Sequence, residues 1–195
     1  MEKSEIASKM EIRNKYLNYR NSLSLGERKE KSSVIWKVLK QEEAFQKAQS
    51  VLVYMDYRSE VMTTGLVQEL FEDTTKRVFA PKVEGMDIHF YEVCSMDDFL
   101  EGYQGIREPA GNLEKRFTEQ MAKERNCLIL VPGAVFDRQR GRMGYGKGFY
   151  DRYLATMPEL HSAALAYTCQ IAKHVPVDEH DIRMDMIITE NGVIK

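Results

Sequence analysis

Residues 127–132 read Cys-Leu-Ile-Leu-Val-Pro, an apolar run with no polar residue at alternate positions. Successive side chains of a strand point to opposite faces, so a strand made from this run needs apolar cover on both sides. That requirement excludes a half-solvated sheet at this place and calls for a sheet held between two layers. The rest of the chain supplies candidates for them. Residues 51–55 (VLVYM) read as a second buried strand, residues 63–73 (TTGLVQELFED) as a helix, and KRVFAPKV and MDIHFYEV as two further strands. A helix is expected over residues 149–157, with strands near 163–167 (AALAY) and 186–189 (MIIT). Strands alternating with helices predict an α/β chain, a three-layer sandwich around a largely parallel sheet. In such sheets ligands sit beyond the carboxyl ends of the strands, which is where the residues after Val131 would lie.

The opening third is helical in pattern. Residues 2–21 carry apolar positions at helical spacing, and Ser24 with Glu27 forms a capping box opening a second helix through Val34, Ile35, Val38 and Leu39. Lys9, Arg13, Tyr16 and Arg20 share one face of the first helix, a cationic stripe able to reach phosphates. No repeat or linker-like stretch divides the 195 residues, so one domain over 1–195 is expected. Cys94, Cys127 and Cys169 lack the spacing of a zinc site or a disulfide framework and are expected to be reduced, in the cytoplasm. A formal net charge of −2 sets up no overall field toward nucleic acid or an anionic membrane, and the apolar runs are too short to span a bilayer. Neither nucleic acid nor a membrane is therefore expected as a partner, and any phosphate chemistry has to be local.

Residues 141–154 (GRMGYGKGFYDRYL) are the place for it. Gly141, Gly144, Gly146 and Gly148 fall within eight residues, interleaved with Arg142 and Lys147, and open the helix expected at 149. The stretch begins as G-x-x-x-x-G-K, but Gly148 stands where a Walker A loop needs Ser or Thr, and residues 133–140 separate it from the preceding strand. What survives is the physics: glycines take positive φ, bare amides approach an anion, and the helix N-terminus adds its dipole. Lys147 and Arg142, with Arg138 or Arg140, add full charge. The Lys-Gly-Phe start of an RNA-stacking motif is not continued by Tyr150, Asp151 and Arg152. Tyr145 and Phe149, in the loop and at the helix start, are candidates for stacking on a ring.

Asp151 conflicts with a phosphate beside it. At about 5 Å and an effective dielectric near 20 the repulsion is roughly 3 kcal/mol per charge. A cation between them removes the conflict, and Mg²⁺ prefers one or two carboxylates together with phosphate oxygens. A second carboxylate is available in residues 181–189 (DIRMDMIIT), where Asp185 enters the last apolar strand and Asp181 precedes it.

Taken with KMEIR near the start, SEVMT after the first strand, GIREPAG, PGAVFDRQRGRMGYGKGFYDRYL and the tail QIAKHVPVDEHDIRMDMIITENGVI, these residues make the chain resemble the 5-formyltetrahydrofolate cyclo-ligases, also called methenyltetrahydrofolate synthetases. The likeness spans nearly the whole length. It implies the sandwich fold of sugar-phosphate isomerases and CoA transferases, and an ATP- and Mg²⁺-dependent closure of 5-formyltetrahydrofolate to 5,10-methenyltetrahydrofolate with release of ADP and phosphate. It also implies site residues. Lys9 and Arg13 match nucleotide-binding positions, and the ATP loop matches Arg142, Gly144, Tyr145, Gly146, Lys147, Gly148, Phe149 and Tyr150. Lys147 and Arg142 are the implied catalytic pair, and Asp151 and Asp185 match the metal carboxylates. Folate contacts match Met55, Glu60 and the residues 145–149 (Tyr145, Gly146, Lys147, Gly148, Phe149). Arg107 departs from the family, which often has proline or a small polar residue there. The resemblance implies 5-formyltetrahydrofolate and ATP as partners of a monomer. Two readings from other classes stand beside it: a phosphosugar isomerase or CoA-transferase relative on the same fold that works without ATP hydrolysis, and a non-catalytic ligand-sensing module that binds nucleotide without turning it over.

Overall fold

The computed structural model describes residues 2–124 and 126–195, with side chains from residue 9 onward. Helices α1 (Glu2–Asn21), α2 (Leu25–Gln41) and α3 (Glu43–Lys47) lead into β1 (Ser50–Leu52) and α4 (Thr64–Glu72). The hairpin β2 (Arg77–Glu84) and β3 (Asp87–Val93) follows, then β4 (Phe99–Glu101), β5 (Arg107–Pro109), α5 (Glu119–Glu124) and β6 (Cys127–Val131). The chain closes with β7 (Val135–Asp137), β8 (Arg142–Met143), α6 (Phe149–Thr156), β9 (His161–Leu165), β10 (Ile171–Ala172), β11 (Met186–Thr189) and β12 (Gly192–Ile194).

The main sheet runs β12-β11-β9-β6-β1-β2-β3. Its inner strands β11, β9, β6, β1 and β2 are parallel, and the edges β12 and β3 return antiparallel. The sheet is covered on both faces, as the run at 127–132 demands. Leu128 and Leu130 join Val51 and Leu165 under α2 and α4, against Ile35, Leu39, Leu66 and Leu70. Ile129 and Val131 join Leu52 and Ala164 on the opposite face, against Tyr153 and Leu154 of α6 and Phe90. Each fully buried branched side chain contributes about 1.5–3 kcal/mol, so the alternation within β6 stabilises both layers at once. The fold is therefore the three-layer α/β sandwich expected from the alternation of elements.

Local chemistry sets the element ends. Ser24 and Glu27 cap α2 reciprocally: the Glu27 amide donates to Ser24 Oγ at 3.2 Å and the Ser24 amide to Glu27 Oε2 at 2.8 Å. β1 is shorter than the apolar run suggests. Val53 still donates to the Phe79 carbonyl, but Thr63 Oγ1 captures the Tyr54 carbonyl at 2.6 Å and Asp56 Oδ1 accepts from the Thr63 and Thr64 amides. These bonds fold residues 53–63 into a loop at the carboxyl end of the sheet.

Residues 133–140 are not a plain connector. β7 and β8 form a hairpin, joined by β10 into a small second sheet. The buried Asp137 carboxylate organises it by accepting from the amides of Gln139, Gly141 and Val175. Gly141 and Arg142 thus belong to the hairpin, and the glycine loop proper is residues 144–148. Helix α1 packs on this sheet through Ile12, Tyr16 and Leu17, against Val135, Met143, Ala172 and Val175. No helix among the described residues is long and apolar enough to cross a membrane.

Gly133 lets the chain turn from β6 into the hairpin at close quarters. A Cβ there would stand 2.5 Å from Cζ of the buried Phe136 ring. Gly133→Ala is expected to lower stability by about 1–3 kcal/mol, read as a lower denaturant midpoint at unchanged slope.

Candidate active site

A cleft of about 500 Å³ opens beyond the carboxyl ends of β1 and β6. Met55 and Glu60 come from the loop after β1, Pro132 from the end of β6, Lys9 and Arg13 from α1, and residues 142–151 from the hairpin, loop and α6. An apolar wall of Pro81, Val83, Ile88, Ile106, Tyr103 and Phe149 faces them. Tyr103 meets the Phe149 ring edge-on at 6.4 Å between centroids. Such a wall suits a flat aromatic ligand.

The loop has the backbone that glycine permits. Gly146 and Gly148 have φ of +92° and +66°, and Gly148 caps α6 in the left-handed region. α1 clamps it, because Arg13 Nε donates to the Gly144 carbonyl at 2.8 Å. Lys147 is exposed and lines the cleft, and among the described residues its ammonium has no ion-pair or hydrogen-bond partner. Arg142 is held differently. Its side chain is 3% exposed, Nη2 donates to Asp151 Oδ2 at 2.6 Å, Nη1 reaches the Pro132 carbonyl, and Nε has no partner. A guanidinium this buried is a fixed element of the wall, with one donor unspent.

The acidic side of the cleft has three carboxylates. Asp151 is paired with Arg142, while Asp178 and Asp181 both face Lys9, at 2.6 and 3.5 Å. Burial opposes the Lys9 charge, yet the Asp178 hydrogen bond and the two carboxylates hold its pKa above the ordinary value. Asp185 is not among them. It stands at the amino end of β11, where its Oδ2 accepts from the Ser162 amide at 2.7 Å and hydroxyl at 2.8 Å, with His161 at 3.7 Å. It borders a separate groove with Glu42, Glu159 and Lys195. The expected pairing of Asp151 with Asp185 is corrected accordingly: parallel strands begin at Asp185's end of the sheet and finish at the cleft. Asp181, the other carboxylate of that stretch, is the one brought to Asp151's side. Asp151 and Asp181 offer hard oxygen donors of the kind Mg²⁺ prefers, and Arg142 and Lys9 balance their charge in this structure.

Glu60 is 5% exposed. Its Oε1 accepts from the Tyr145 hydroxyl at 2.7 Å and its Oε2 from the Tyr57 amide at 2.9 Å. Burial pushes its pKa up, against the Tyr145 hydrogen bond and the Arg20 charge. Tyr150 lies behind the loop, with the Arg142 guanidinium 5.8 Å from its ring. The cationic stripe of α1 divides: Lys9 and Arg13 reach the cleft, Tyr16 enters the core of the small sheet, and Arg20 is 2% exposed. Arg107 is exposed and outside the cleft, between Ile106 and Glu108, which line it. Tyr57, Tyr103, Asp178 and the apolar wall other than Phe149 escaped the sequence reading, since no local pattern marks residues that meet only in the folded chain.

The model of the 5-formyltetrahydrofolate cyclo-ligase family matches residues 5–190. A probable 5-formyltetrahydrofolate cyclo-ligase of Schizosaccharomyces pombe is 30% identical over 77% of this chain and 79% of its own length. The Mus musculus 5-formyltetrahydrofolate cyclo-ligase is 26% identical over 88% of each. Among solved structures, the Aquifex aeolicus 5,10-methenyltetrahydrofolate synthetase superimposes with a TM-score of 0.83 at 34% identity, covering 96% of this chain and 92% of that one. The Mycoplasma pneumoniae protein of the same name shares the fold, at a TM-score of 0.71 and 23% identity over 93% and 98%.

Proposed function

The chain belongs to the 5-formyltetrahydrofolate cyclo-ligase family, and from that premise we propose that its cleft couples ATP cleavage to closure of 5-formyltetrahydrofolate into 5,10-methenyltetrahydrofolate. The observation that carries the reading is the juxtaposition of three features in one cleft: a positive-φ glycine loop with the exposed Lys147, an acidic rim, and a buried carboxylate facing an apolar wall.

A formamide oxygen is a poor leaving group, so N10 cannot displace it unaided. In the proposed sequence the formyl oxygen attacks the γ-phosphorus of ATP, forming a C–O–P linkage as ADP leaves. N10 then attacks the same carbon, loses its proton, and the C–O bond breaks to release inorganic phosphate. The protein's part is positioning and charge stabilisation. Lys147 and the amides of residues 144–148 hold the migrating phosphoryl group. Arg142 fixes Asp151. Lys9 and Arg13 bring α1 to the nucleotide. Asp151 and Asp181 would hold Mg²⁺, which supplies neutralisation of phosphate charge when bound. Glu60 accepts from the amino group and ring N–H of the pterin, and Met55 and Phe149 flank the ring. Asp185 has no part in this reading.

The reading is tested by following methenyltetrahydrofolate absorbance together with ADP release. One ADP is expected per ring closed, and only when both substrates are present. Ring closure without ATP, or ADP release that ignores 5-formyltetrahydrofolate, would contradict it. Glu60→Gln, which keeps the shape but removes the charge, is expected to raise KM for 5-formyltetrahydrofolate roughly 10- to 100-fold, the value of one or two charge-assisted hydrogen bonds. KM for ATP should not move.

A further inference from the structure

We propose that Arg20 is a positioning residue of the folate pocket, a buried guanidinium that fixes the Ser59–Glu60 turn and the Tyr145 ring so that Glu60 meets its ligand as a carboxylate. The proposal rests on the reading that Glu60 holds the folate ring.

Arg20 lies in the last turn of α1 and is 2% exposed, among the largest fully buried side chains of the protein. A lone buried guanidinium is costly, and it persists where its donors are spent on something specific. Its Nε donates to Ser59 Oγ at 2.9 Å and its Nη1 to the Gly133 carbonyl at 3.1 Å. Ser59 immediately precedes Glu60, and its hydroxyl donates in turn to Asn21 Oδ1. The guanidinium carbon also stands 5.6 Å from the centroid of the Tyr145 ring, whose hydroxyl donates to Glu60 Oε1. One side chain thus ties three separate parts of the cleft: the loop after β1, the turn after β6 and the glycine loop. Among the described residues no acidic side chain is paired with it directly, and its charge acts on the nearby Glu60 carboxylate.

The other groups facing Glu60 do not replace that charge. Tyr145 and the Tyr57 amide donate neutral hydrogen bonds, and the Tyr167 hydroxyl donates to the Glu60 carbonyl. Tyr54 and Tyr150 are neutral phenols nearby, and Asp56, in the same loop, carries the wrong sign. The Arg20 charge favours the ionised form of a carboxyl that burial drives toward protonation.

The test compares Arg20→Met, Arg20→Lys and Glu60→Gln in the full chain. Profiles of kcat/KM for 5-formyltetrahydrofolate are taken from about pH 5 to about pH 9, across the range a raised carboxyl can reach. Arg20→Met is expected to move the acid limb upward by about one pH unit or more, as loss of one nearby charge requires. It should also raise KM for 5-formyltetrahydrofolate at least about tenfold at neutral pH and leave KM for ATP unchanged. Arg20→Lys keeps the charge and gives up the forked geometry, so its limb should stay within about half a unit of wild type while KM for the folate rises. It also keeps the test open if the methionine variant does not fold. A folded Arg20→Met with an unmoved limb, or an Arg20→Lys whose limb moves as far as a charge deletion would take it, would overturn the proposal. Glu60→Gln should abolish the limb. If it keeps both limb and folate affinity, the reading of Glu60 itself fails, a result distinct from failure of Arg20.

Discussion

Lys147→Ala is expected to lower kcat by about 10³-fold or more, the scale of removing a charged group that stabilises a transferring phosphoryl. Thermal stability should change little. Lys147 is exposed, makes no hydrogen bond or ion pair through its ammonium among the described residues, and sits in a loop whose conformation is set by Gly146, Gly148 and the Arg13 bond to Gly144. Exposed substitutions of this kind shift stability by about 0.5 kcal/mol or less, a few degrees in Tm at most. The separation of the two readouts is the point. Arg142, by contrast, is buried against Asp151, and its removal would strand a carboxylate and cost stability as well as rate. A Lys147→Ala protein that unfolds at the wild-type temperature and still turns over within threefold, about 0.65 kcal/mol in barrier, would remove Lys147 from the reaction.

The second large effect separates two carboxylates four residues apart. Asp181→Asn is expected to lower activity by about 100-fold or more at limiting Mg²⁺, with partial recovery as Mg²⁺ rises, because a neutral amide is a weaker ligand for a hard cation. Asp185→Asn should leave activity within about threefold. Its cost falls on stability, about 1–2 kcal/mol, because Asp185 accepts two hydrogen bonds from Ser162 where β9 begins. Lys9 faces Asp181 and Asp178, so Asp181→Asn also loosens the hold of α1. Measuring the Mg²⁺ dependence, rather than activity at one concentration, isolates the ligand effect. The reverse pattern, with Asp185→Asn inactive and Asp181→Asn indifferent, would put the metal at the opposite end of the sheet and detach it from the loop.

That pair also shows what the linear sequence can carry. A run such as Cys-Leu-Ile-Leu-Val needs cover on both sides wherever it sits, and Ser24 with Glu27 caps a helix by local bonds alone, so the sandwich and its longer helices were legible, while the short α3 and α5 were not. The glycine stretch at 141–148 advertised a backbone that only glycine adopts freely, and two of its glycines do have positive φ. Which end of a strand a carboxylate occupies is another matter. Asp181 and Asp185 are separated by at most about 14 Å of extended chain, yet one lines the cleft and the other borders a different groove. The small sheet was missed because two- and three-residue strands have no period to detect. Glu60 meets Tyr145 across 85 positions of sequence, a contact set by the packing of three layers. In the sequence Arg20 reads as one more cation of a stripe able to reach phosphates, and its burial appears only in the folded chain.

The central claim is that a triphosphate lies on the glycine loop with its metal on the acidic rim of the same cleft. A crystal structure with Mg²⁺, a non-hydrolysable ATP analogue and 5-formyltetrahydrofolate tests it most directly. The account predicts the terminal phosphate against Lys147 and the amides of residues 144–148, the cation on Asp151 and Asp181, and the pterin against Glu60. A triphosphate bound away from Lys147, or a cation on Asp185 with Asp151 and Asp181 bare, would contradict it.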